Sequence, residues 1–295
     1  MRALLLSLLL ALTLSSTHAA WGADVLILQS SRTPAYGEAL RGFGAACKSS
    51  GHTLVLSDYA EVDVPRMVKE ERPRLVLAVG DKALAASRKV REVPVLSMLS
   101  LSLNLNKRFP DNVGGVAMAV APGEYIRLFG ALGAKRVGVL YDPKKTGLYL
   151  KRAAQEAREL GFVLVAEPVK EPRDLQSKLE KIKGEVDAFW MLPDSTVVTM
   201  INVEALLLFS MSQNIPAVTF TGHYLKNGAA AALEIDPFDM GVQTGELAAS
   251  LLRGGTRRVP VVDPRKTKME SNESVLRKLR LKINGRLTHQ WTMDN

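Results

Sequence analysis

Cysteine is almost missing from this chain: Cys47 is the only one in 295 residues. No intramolecular disulfide can form, so the fold must be held by packing. Aromatic residues are scarce at 6%, and they do not interleave with the basic ones. A base-stacking surface for nucleic acid is therefore excluded, despite 39 Lys+Arg against 30 Asp+Glu. Much of the basic excess sits in solvated runs, at 178–183 and in the tail at 253–286. That distribution fits an acidic ligand or general surface charge better than DNA or RNA. The histidines His18, His52, His223 and His289 are scattered, with no metal-ligand spacing. No glycine-rich loop ends in Gly-Lys-Ser/Thr, and Ser30 and Ser31 stand where a dinucleotide fingerprint would place glycines. No serine occupies a nucleophile elbow. These absences argue against an enzyme and imply neither cofactor nor metal. Beyond the N-terminus no apolar run is long enough to span a bilayer.

The N-terminus itself has a positive start at Arg2, an apolar run over 4–14, and the small-residue exit Thr17-His18-Ala19. This is the layout of a secretory signal peptide, expected to occupy residues 1–22 with cleavage after Ala19 or Gly22. Its apolar run is too short for a membrane anchor. Cys47 lies far from the cleavage region, so no lipid-modified N-terminal cysteine is expected. Cys47 falls in line with Leu40 and Phe43 and reads as a small buried hydrophobe.

A mature chain of about 270 residues suits two lobes. Strands alternate with helices, and the alternation occurs twice. Strands are expected at 25–28, 53–56, 75–79, 94–99 and 113–120, then at 137–141, 162–165, 188–192, 216–220 and 229–235. Helices are expected after Ser31, from Asp63, and after Gly80. In the second half they are expected after Asp142, from Asp174, from about Val197 to Ser212, and from Asp236 to Leu252. Continuous apolar strands between amphipathic helices predict two doubly wound parallel sheets, an α/β fold.

In such sheets, ligands bind beyond the carboxyl ends of the strands. Small polar residues gather at those ends. The first half supplies Ser30 and Ser31, Gly80-Asp81-Lys82, and Ser97. The second supplies Tyr141, Asp194-Ser195, and Thr219 through Gly222. The same residue types also cap helices and turn loops. It is their gathering at the corresponding edge of both halves that predicts a shared cleft.

Several segments carry a more specific likeness. They are Val137-Gly-Val-Leu-Tyr-Asp-Pro143, Val186-Asp-Ala-Phe-Trp-Met-Leu-Pro-Asp-Ser-Thr-Val-Val198, Ile215-Pro-Ala-Val218, and Ile235-Asp236 with Gly241-Val-Gln-Thr-Gly-Glu-Leu-Ala-Ala249. In these the chain resembles ABC-transporter substrate-binding proteins of the type I periplasmic binding fold, within the group that contains tryptophan-binding lipoproteins. The resemblance implies Rossmann-like lobes joined by a hinge of several crossings, one containing 24–133 and 236–257, the other 134–235 and 258–295. It implies a monomer in the periplasm that closes on an amino-acid-like or other small polar or aromatic solute, with an inner-membrane ABC permease as partner. The alternative is a ligand-sensing input for a membrane receptor. Two departures bear on the ligand: Gly80-Asp81-Lys82 replaces a Thr-Pro or Ser-like loop, and the loop after Val218, which often holds an acid in relatives, has none before Tyr224. The resemblance therefore does not carry tryptophan over.

Overall fold

The computed structural model describes residues 23–103, 109–254 and 258–283. The expected signal peptide lies outside the described residues. The first half runs β1 (Val25–Gln29), α1 (Pro34–Ala46), β2 (Gly51–Val55), α2 (Val64–Glu71), β3 (Leu75–Val79), α3 (Asp81–Ser87), β4 (Val95–Met98) and β5 (Val113–Val116). These strands form a parallel sheet in the order β2-β1-β3-β4-β5, extended by β11 (Val261–Val262) beside β5. Strands β3, β4 and β5 are buried throughout, because helices cover both faces.

The second half repeats the order. It runs α4 (Pro122–Ala131), β6 (Arg136–Tyr141), α5 (Gly147–Glu159), β7 (Val163–Pro168), α6 (Leu175–Ile182), β8 (Ala188–Trp190), α7 (Asn202–Ser212), β9 (Ala217–Thr219) and β10 (Ala231–Ile235). Its sheet is β7-β6-β8-β9-β10, closed at the edge by the antiparallel β12 (Thr267–Ser271). Helices α8 (Pro237–Leu252) and α9 (Glu273–Lys278) complete the described chain. Two sheets with one strand order, each reversing direction at its first strand, are the doubly wound pair that the alternation predicts.

Three details depart from the sequence expectations. Helix α4 falls where the strand–helix pattern assigned nothing, and it belongs with the second sheet. Tyr125, Ile126 and Phe129 pack in one core with Trp190, Val137 and Leu233. The first crossing between lobes therefore lies near Val120 rather than after Gly133. The tail does not stay in the second lobe either: Val261 and Val262 pair with Gly115 and Val116 before β12 joins the other sheet. Helix α7 begins at Asn202, not near Val197, because residues 194–199 are held in turns around the Asp194 carboxylate.

Helix α8 crosses back to the first lobe and lies against α1. A Cβ on Gly241 would stand 1.9 Å from the Ala39 carbonyl oxygen, and one on Gly42 would stand 2.0 Å from that of Phe238. Only glycine lets the two backbones approach so closely. Phe43, Cys47, Met240 and Ala248 fill the core beside this crossing, so Cys47 is the buried hydrophobe its spacing suggested.

Candidate functional site

Most of the polar residues gathered at the strand ends are tied to the protein itself. Ser30 is buried; its hydroxyl donates to the Val79 carbonyl at 2.9 Å and accepts the Ala83 N–H at 3.0 Å, capping α3. Ser31 offers its carbonyl to the Gln29 side chain. Gly80, at φ 89°, makes the turn into α3 under the Tyr36 and Ser30 side chains, which a Cβ would strike. Asp81 accepts the Ser100 hydroxyl at 2.7 Å and the Ser102 N–H at 2.8 Å. Burial alone would raise its pKa, but these hydrogen bonds from Ser102 and Ser100 bring it below the ordinary aspartate value. Lys82 is exposed. Ser97 and Thr219 lie fully buried within their strands, and among the described residues neither hydroxyl has a hydrogen-bond partner.

The second lobe has a comparable knot. Asp194 is buried and takes four donors: the Asp142 N–H at 2.7 Å, the Thr146 hydroxyl at 2.6 Å, and the Thr196 and Val197 N–H groups at 2.9 and 3.4 Å. Asp142 in turn accepts the Lys144 N–H and the Thr196 hydroxyl, at 2.8 and 2.7 Å. Burial pushes Asp142 up, yet the Thr196 and Lys144 hydrogen bonds and the nearby lysines prevail and its pKa is lowered. Ser195 is exposed and accepts the Lys145 ammonium at 2.7 Å. Tyr141 packs against the second-lobe core. The Gly222 N–H donates to Glu234.

The cleft is bordered by the neighbours of these residues. A cavity of about 410 Å³ opens between the lobes, walled on one side by Ala35, Leu99, Leu101, Met118 and Ala119, and on the other by Pro193, Phe220, Thr221 and Glu234. The crossings at Val120 and Ile235-Pro237 form its back, with Tyr125 and Tyr149. Of the loops chosen from sequence, the one after β9 reaches the cavity through Phe220 and Thr221, the one after β8 through Pro193 and the one after β4 through Leu99 and Leu101, whereas the turns at Gly80-Asp81-Lys82 and after Tyr141 contribute no lining residue. Of the strand-end residues named from sequence, Phe220 and Thr221, within the run from Thr219 to Gly222, line the cavity; Ser30, Ser31, Gly80, Asp81, Lys82, Ser97, Tyr141, Asp194, Ser195, Thr219 and Gly222 do not. Leu99, at φ 53°, is held in the left-handed region that a branched side chain rarely adopts. The Asp81 hydrogen bonds to Ser100 and Ser102 hold the turn that follows it.

The floor is aromatic. Trp190 is buried with Tyr125, Phe129 and Tyr149 at ring-centroid distances of 4.8, 5.8 and 5.9 Å. Tyr125 donates to the Leu233 carbonyl at 3.2 Å and Tyr149 to the Val120 carbonyl at 2.7 Å. Burial raises the pKa of both phenols, aided by Glu234 for Tyr125 and by Tyr125 for Tyr149, so both remain neutral donors. Sequence reasoning passed over Leu101, Pro193 and Glu234. The available signal was an apolar residue inside a loop at a strand's carboxyl end, as in Leu99-Ser-Leu101.

Ion pairs brace the crossings. Arg152 on α5 bridges to Asp263, next to β11, through contacts of 2.9 and 2.5 Å. Arg265 joins Asp239 and Glu246 of α8, and Lys266 joins Asp236 at 2.9 Å.

Two α/β lobes of one strand order, with a mostly apolar cavity between them at their strand ends, define a ligand-binding class of architecture. The family described as ABC transporter substrate binding protein matches residues 56–292, and the chain belongs to it. A tyrosine-binding protein of Clostridioides difficile (strain R20291) is 20% identical over 270 residues, 83% of this chain and 77% of that protein. A substrate binding protein with adhesive properties from Clostridium difficile, solved ligand-free and open, aligns with a TM-score of 0.69 at 19% identity, covering 92% of this chain and 99% of that one. An ABC domain from Streptococcus pneumoniae in complex with L-Trp aligns at 0.60 and 18% identity, covering 92% and 99%. The fold is that of the type I periplasmic binding proteins. Among the described residues no helix is long and apolar enough to cross a membrane.

Proposed function

We propose that this protein captures a small solute with an apolar, ring-sized body between its lobes and delivers it to an inner-membrane ABC permease, acting in the periplasm after loss of its leader. The observation that carries this reading is the cavity of about 410 Å³ whose walls come from both lobes. That volume lies in the range of small-molecule sites, about 300–1,000 Å³. A solute touching Leu101 on one side and Phe220 on the other gains both sets of contacts only when the lobes approach. Binding therefore biases closure. The tyrosine-binding relative and the L-Trp complex make aromatic amino acids the first solutes to try.

The test is native mass spectrometry of the protein after gentle periplasmic extraction, followed by titration of whatever solute is retained. Leu101→Ala and Phe220→Ala should each weaken binding by about 10- to 100-fold, the effect of removing about 1.5–3 kcal/mol of apolar burial. Affinity indifferent to the change on either lobe would mean a site confined to the other, and the capture reading would fail.

A further inference from the structure

Among the described residues, the cavity lining has one acidic side chain, Glu234, and no lysine or arginine. Its position is built by the fold: β10 ends at the cleft, and the Gly222 N–H donates to the Glu234 carboxylate. Glu270 presses on the same glycine from the neighbouring strand, where a Cβ would meet its carboxylate at 2.2 Å. Two acids thus converge on one backbone turn. Lys268 lies opposite Glu234 in the β10–β12 register but is not part of the cavity wall. Among the described residues Glu234 forms no ion pair. A carboxylate beside Phe220, Leu233 and Pro193 loses hydration, and a cation arriving with the solute is the partner that offsets this loss.

The described residues of the same cleft offer an incoming carboxylate little. Two helix N-termini reach it, those of α1 at Ala35 and α8 at Pro237. Both first turns are already capped: Thr33 accepts the Tyr36 N–H at 3.2 Å and Asp236 accepts the Asp239 N–H at 3.0 Å. The α8 cap adds a negative charge, which Lys266 balances. A carboxylate there would meet Glu234 across an apolar gap, whereas an ammonium would be attracted to Glu234 and to the ring faces of Phe220 and Tyr149.

We infer that Glu234 recognises a protonated amine on the captured solute, and that the cleft selects for this amine more strongly than for a carboxylate. The acid that the loop after Val218 lacks is supplied instead by the adjacent strand. The inference rests on the capture reading and adds the charge of the ligand to it.

The experiment is calorimetric titration of the full chain with matched probes: L-tyrosine, tyramine and 3-(4-hydroxyphenyl)propionate, and the corresponding L-tryptophan, tryptamine and indole-3-propionate. Removing the amine should weaken binding by about 10- to 100-fold, and removing the carboxylate should weaken it less. Glu234→Gln, which keeps an acceptor for the Gly222 N–H, should impose the same loss on the amine-bearing probes and erase their preference. Glu234→Asp should retain that preference, and unliganded melting temperatures of both variants verify their folding. Deaminated acids that bind as tightly as the amines, an undiminished amine preference in Glu234→Gln, or no binding by any probe would overturn the inference. In each of those cases the capture reading is judged separately, by the retained solute and its dependence on Leu101 and Phe220.

Discussion

A polar residue at the end of a buried strand has two possible employments, and Asp194 illustrates how hard they are to separate. A ligand contact and a loop fastener both call for Asp, Ser or Thr at a strand-to-helix junction. The sequence therefore points to a set of strand-end loops, but neither to which of them border the cavity nor to which side chain in each faces it. Here Asp194 gathers the Asp142 and Thr196 N–H groups and the Thr146 hydroxyl, so Asp194→Ala leaves buried donors unmatched. We expect a loss of about 2–4 kcal/mol in second-lobe stability, read by denaturant unfolding, with the ligand-induced rise in melting temperature preserved. A lost ligand shift with unchanged stability would instead assign Asp194 to the ligand. The lowered pKa values of Asp81, Asp142 and Asp236 set the pH response. A carboxyl whose folded pKa lies below its unfolded value binds fewer protons when folded. It stabilises the fold above the unfolded pKa, and that contribution disappears as pH falls through the folded value. Melting temperature should consequently drop below about pH 4, and Asp142→Asn should flatten the drop in a pH series.

At the scale of elements, the alternation of apolar strands and amphipathic helices made most of both sheets readable, because strands buried on both faces leave continuous runs such as Leu75–Val79. Helix α4 escaped since it follows β5 directly and packs on the other lobe's core; its stripe of Tyr125, Ile126 and Phe129 is clear once the crossing at Val120 is known. Strand β11, two residues long, has no pattern to detect. The α1–α8 contact was visible only as the segment Gly241-Val-Gln-Thr-Gly245, whose glycines gain meaning from the backbone opposite. Gly241→Ala should lower stability by about 1–3 kcal/mol, because the Ala39 carbonyl is backbone and cannot swing aside. Gly44→Ala, on the exposed side of α1 with nothing within 4 Å of the added methyl, should raise it by about 0.5–1 kcal/mol through helix propensity. Unfolding midpoints of the two variants test the contrast. Equal effects would mean that the helices do not meet through Gly241.

For the whole molecule, the question is what controls the approach of the lobes. The chain crosses between them near Val120, at Ile235-Pro237, and between β11 and β12, so the proposed closure would turn about these three crossings. The bracing pair Arg152–Asp263 is substantially exposed, at 44% and 37% of the side-chain surfaces. Such pairs contribute at most about 1 kcal/mol. Asp263→Ala should therefore alter solute affinity by less than about 5-fold. Under the proposed capture the larger bias comes from the cavity, where a solute would join Leu101 and Ala35 to Phe220 and Glu234. Ligand can shift the equilibrium only by its differential affinity for the open and closed forms, so weakening contacts on either wall must weaken closure. Small-angle scattering should report a smaller radius of gyration with bound solute. Leu101→Ala and Phe220→Ala should each reduce the compaction at a fixed sub-saturating solute concentration, whereas Asp263→Ala should leave it nearly intact. Tight binding without compaction would show that the solute does not draw the lobes together, and hinge closure would then have to be abandoned as the mechanism.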